Sequence, residues 1–98
     1  MATTNVYYSY RSTCGTVCLS VTKFDGDRKT AVAALRKMFQ NSTTPIVRIF
    51  PPHADKQAVR DTLSKTERTL SEINADRHPG LHWNMRMIAE ALREDLSK

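Results

Sequence analysis

Two thiols, Cys14 and Cys18, and two imidazoles, His78 and His82, each pair with three residues between its members, are the most chemically specific constellation in this chain of 98 residues. Two thiolates and two imidazoles complete a tetrahedral zinc shell. The pairs stand far apart, however, one beside a hairpin turn and the other around Pro79-Gly80, so nothing local obliges them to meet. The plainer assignment is two small, half-buried thiols and two surface imidazoles at a loop, with no metal. A thiol nucleophile would need Cys14 or Cys18 beside an activating histidine, and spacing alone does not supply one. Asp25 and Asp27 flank Gly26 but lack the later Glu of a calcium loop, so they read as turn and helix cap. With no glycine-rich phosphate loop, no His-Glu-x-x-His and no paired-carboxylate motif, no cofactor is implied and catalysis is not the expected role.

Charge is more informative. The net charge is +5, and all of the surplus lies in the first half. Residues 1–53 carry Arg11, Lys23, Arg28, Lys29, Arg36, Lys37 and Arg48 against Asp25 and Asp27, while residues 54–98 carry eight basic and eight acidic side chains. Such asymmetry points to an anionic partner for the first half, whether nucleic acid, an acidic protein surface or anionic lipid. The expected contacts are Arg11, Arg28, Lys29, Arg36 and Lys37 on phosphates, with Tyr7 available to stack on a base. No base-reading motif stands out, so binding would follow backbone charge and shape rather than sequence. The same charges would also serve solubility alone.

A protein-binding inhibitor or adaptor, of the kind encoded by a virus or mobile element, is the alternative. Trp83, Arg86 and Met87 are of residue types favoured at protein interfaces. A homodimer through the helical half is a further expectation. No apolar run approaches a membrane span, and the start Met1-Ala2-Thr3-Thr4-Asn5 lacks the pattern of a secretion signal, so a cytoplasmic protein with reduced thiols and no membrane partner is expected.

The elements that must position these residues follow from periodicity. Asn5 to Arg11 is aromatic and β-branched, and Thr16 to Phe24 alternates Val17, Leu19 and Val21 with Cys18, Ser20 and Thr22. With turn chemistry at Ser12-Thr13-Cys14-Gly15 they predict a hairpin whose inward residues are Val6, Tyr8 and Tyr10 on one strand and Val17, Leu19 and Val21 on the other. Asp27 predicts a cap for a helix running to about Asn41, with Ala31, Ala34, Leu35, Met38 and Phe39 as its buried stripe. Ile46 to Phe50, between Pro45 and Pro51-Pro52, predicts a third strand. Val59, Leu63, Thr66, Leu70 and Ile73 mark a second helix over about 55–76. After His78-Pro79-Gly80, the residues Met85, Ile88, Ala89, Leu92 and Leu96 mark a third from about Trp83. The expected architecture is a single α+β domain, a small three-stranded sheet covered by three helices in the order ββαβαα.

This order resembles the GIY-YIG nuclease domain, a small sheet-and-helix unit that opens with a hairpin. Val6-Tyr7-Tyr8 and Val17-Cys18-Leu19 stand where that family has its two strand triplets, without the glycines. The resemblance implies, as a minor alternative, a degenerate nuclease domain in which Arg28, Glu67 and Asn84 take the positions of the family's Arg, Glu and Asn.

Overall fold

The computed structural model describes residues 2–98, which form one antiparallel three-stranded sheet and three helices in the order ββαβαα, the α+β class expected from the pattern. The chain divides into two compact units between Pro51 and Pro52.

The first unit holds β1 (Thr3–Arg11), β2 (Val17–Asp25), α1 (Arg28–Met38) and β3 (Ile46–Ile49). The sheet order is β2-β1-β3, so the aromatic first strand is central. A tight turn closes the hairpin, with the Ser12 N–H donating to the Thr16 carbonyl at 2.8 Å and the Gly15 N–H to the Ser12 carbonyl at 2.9 Å. Gly15 has φ 88°, a conformation that costs glycine little and other residues much. After β2 the Asp27 carboxylate accepts from the Thr30 N–H at 2.8 Å and caps α1. That helix buries Ala31 and Leu35 on Val6 and Tyr8, with Tyr10, Phe24, Val32, Phe39, Ile46 and Ile49 packed around them. The inward set of β1 is thus the expected one. Tyr8 is buried without losing its hydrogen bond, because its hydroxyl meets Thr22 Oγ1 at 3.1 Å.

The facing of β2 is the reverse of the expectation. Val6 pairs with Thr22, Tyr8 with Ser20 and Tyr10 with Cys18, and directly paired residues share a face. Val17, Leu19 and Val21 therefore lie with Tyr7, Ser9 and Arg11 on the face away from α1, and Val17 and Leu19 are 49% and 41% exposed. The physical reason is volume. The tyrosine rings of β1 and the α1 side chains fill the space under the helix, so the small Cys18, Ser20 and Thr22 suffice opposite them. Met38, expected in the buried stripe, is 59% exposed. It ends the helix, and its place is taken by Phe39, whose ring meets Tyr8 edge-on at 5.5 Å and Tyr10 at 6.2 Å.

The second unit holds α2 (Lys56–Glu72) and α3 (Pro79–Ser97). The Asp55 carboxylate caps α2 by accepting from the Ala58 N–H at 2.8 Å. Val59 and Thr66 are buried, and Leu63, Leu70 and Ile73 are half-buried beside them. Thr66 is tolerated in this seam because its hydroxyl donates to the Thr62 carbonyl at 2.8 Å. From α3 come Met85, Ile88, Ala89, Ala91 and Leu92. This helix starts at Pro79 rather than near Trp83, since proline's missing N–H costs nothing in a first turn whose donors are unbonded anyway. Among the described residues no helix is long and apolar enough to cross a membrane.

Candidate functional site

The cations proposed from sequence do not form one surface. Lys29, Arg36 and Lys37 are exposed on the outer side of α1, the side turned away from Ala31 and Leu35. Lys29 and Arg36 lie nearly two turns apart on the same side, about 10 Å along the axis, and Lys37 neighbours Arg36. Arg36 and Lys37 occupy the last turn, where the helix dipole favours positive charge. Among the described residues none of the three forms an ion pair.

Arg28 has a different task. Its guanidinium, half-buried, donates to the Phe50 carbonyl at 2.5 Å and ties the start of α1 to the end of β3. Arg11 and the half-buried Tyr7 lie on the opposite face of the sheet, and Arg11 donates to the Gly15 carbonyl of the hairpin turn at 2.9 Å. Arg48, which the sequence argument did not single out, joins that face, since it pairs with Ser9 and sits 5.0 Å over the Phe50 ring. Strand alternation alone would set Arg48 on the same face as Ile46. Ile46 and Ile49 are three residues apart and share the buried face only because the ladder is irregular between Ser9 and Tyr10, which sends Val47 outward.

The hairpin turn also sets the chemistry of Cys14. Its exposed Sγ lies 3.0 Å from Ser12 Oγ and 3.4 Å from Thr16 Oγ1. These contacts, Ser12 foremost and Thr16 next, favour the thiolate and hold the thiol at about 7, below its usual 9.0. Hydroxyls, rather than the histidine sought from sequence, activate it. Cys18 is half-buried, its Sγ 3.9 Å from the Thr16 carbonyl. His78 and His82 belong to the second unit, and among the described residues no group of three or more His, Cys, Asp and Glu is placed to hold a metal ion.

On α3, Trp83 is 54% exposed, Arg86 is exposed and lies 3.9 Å from Glu90, and Met87 is half-buried one turn from Trp83. Of the residues that the nuclease resemblance would use, Arg28 is tied to Phe50, Glu67 pairs with Arg93 at 3.7 Å, and Asn84 is half-buried in α3. Compared with models of protein families, with characterised proteins and with solved structures, the chain matches none.

Proposed function

We propose that the chain is a non-enzymatic nucleic-acid-binding protein that grips phosphates through the outer side of α1, with Lys29, Arg36 and Lys37 as the contacts. The observation that supports this best is their common exposure without a carboxylate partner among the described residues, in a unit where seven cations face two carboxylates. Binding of this kind reads the charge and spacing of a phosphate backbone and is sequence-tolerant. A fluorescence-polarisation titration of single-stranded and duplex oligonucleotides at two salt concentrations tests it. Affinity of about micromolar or better that falls steeply with salt supports the reading, and no binding even at low salt overturns it.

A second reading, a protein-binding inhibitor or adaptor, is favoured by the exposed Trp83 with Arg86 and Met87 on one stripe of α3. It takes precedence if the oligonucleotide titration is silent. Trp83→Ala would then weaken binding to the partner by at least about tenfold, because such rings carry a large share of interface energy.

A further inference from the structure

We propose that β2 is a docking edge for a second copy of this chain, the two strands pairing antiparallel about Leu19 to make one continuous sheet. The strand lies at the edge of the sheet order, runs for nine residues, and holds its register to β1 throughout without a bulge. It contains no proline or glycine and only one lysine, Lys23, so the usual devices that blunt an edge are nearly absent. Hydrogen bonds from Ser12 to Thr16 and from Gly26 to Ala2 flank the hairpin ladder, so the even-numbered residues of β2 bond to β1 and the odd-numbered ones point their N–H and C=O outward. Among the described residues the backbone groups of Val17, Leu19 and Val21 have no partner on that side. The side chains of the same three residues form the apolar row that the fold leaves away from α1.

Charge and pattern together select a second copy as the occupant. Copies of a unit with seven cations and two carboxylates repel one another across α1, but Gly15 to Asp25 holds one of each sign and is locally neutral. An acidic peptide would be drawn to the cations instead. In the register centred on Leu19, that residue faces itself and Val17 faces Val21, so the centre of the paired strands carries no charge, while Lys23 falls opposite Gly15, whose carbonyl holds Arg11, and two cations approach only at the ends. Centring on Val21 would set Leu19 against Lys23 and Val17 against Asp25, which wastes the apolar row. The two-fold axis of such a pair is perpendicular to the sheet, so both α1 helices lie on one side and their cations act on the same ligand. That consequence rests on the proposed function, whereas the pairing itself does not.

Sedimentation velocity over a concentration series, with reductant present so that Cys14 cannot link copies and with no nucleic acid, tests the pairing independently of phosphate binding. The wild-type chain is expected to show a reversible monomer–dimer equilibrium. Leu19→Lys and Leu19→Glu should each be monomeric, since either puts like charges face to face at the axis, and their equimolar mixture should recover the dimer. Circular dichroism checks that both variants keep the fold, as expected for an exposed position. A wild-type chain that stays monomeric up to about 1 mM overturns the proposal. So does a dimer that survives Leu19→Lys, or a mixture that fails to associate.

Discussion

The Arg28 guanidinium donates to the Phe50 carbonyl at 2.5 Å, joining the first residue of α1 to the residue just beyond β3. A positive charge that sequence alone assigns to an external partner is thereby spent inside the unit. Arg28→Ala should cost about 1.5–3 kcal/mol of stability, the usual range for a hydrogen bond from a charged donor. It should leave the salt dependence of oligonucleotide binding nearly unchanged. Urea unfolding and polarisation titrations on the one variant separate the two effects.

Lys29, Arg36 and Lys37 should behave in the opposite way. None of the three side chains has an ion-pair partner among the described residues and alanine is a good helix former, so the triple alanine variant should lose only the helix-dipole contribution of Arg36 and Lys37, about 1 kcal/mol in all. If each contacts one phosphate of a duplex, the slope of log affinity against log salt should fall by about 2.7. An unchanged slope would remove α1 from the interface.

Cys14 offers a test of the hairpin turn. Because Ser12 and Thr16 lower its thiol to about 7, the rate of alkylation by iodoacetamide should rise with a midpoint near that pH and level off well before 9. Ser12→Ala removes the largest cause and should move the midpoint upward. Cys18, half-buried, should react more slowly at every pH, and mass spectrometry of the alkylated peptides distinguishes the two sites.

Much of the first unit was legible because its signals are local. The Val6, Tyr8 and Tyr10 face, the Asp27 cap and the stop after β3 each follow from residues within one element. The inward side of β2 was not legible. Alternation shows that Val17, Leu19 and Val21 share a face but not which face α1 covers, and that was decided by the tyrosine rings of the neighbouring strand. Pro79-Gly80 has the composition of a break and so points to a start of α3 near Trp83, although proline in the first turn is compatible with a helix. For the candidate site, the cations could be counted but their commitments could not. Arg28 reaches an acceptor 22 residues away, which no spacing rule anticipates. The Cys14 turn was the opposite case, since both hydroxyls stand two residues from the thiol and were open to inspection.

The Asp27 cap carries a pH dependence whose sign follows from its hydrogen bonds. The backbone N–H of Thr30, and after it the Thr30 hydroxyl, hold the Asp27 carboxyl below its usual value of 3.8. A depressed value in the folded chain means that the native state favours the carboxylate more than the unfolded state does. The contribution is fully present above the unfolded value, about 3.9, and is lost as the pH falls through the lower folded one. Asn caps helices as well as Asp does but cannot titrate. The stability gap between wild type and Asp27→Asn should therefore be constant from about pH 5 upward and shift against the wild type below about pH 4. Urea unfolding of both chains from pH 2 to 7 measures it. A gap that stays flat across the whole range would mean that the cap works through geometry alone and that the carboxylate charge adds nothing to α1.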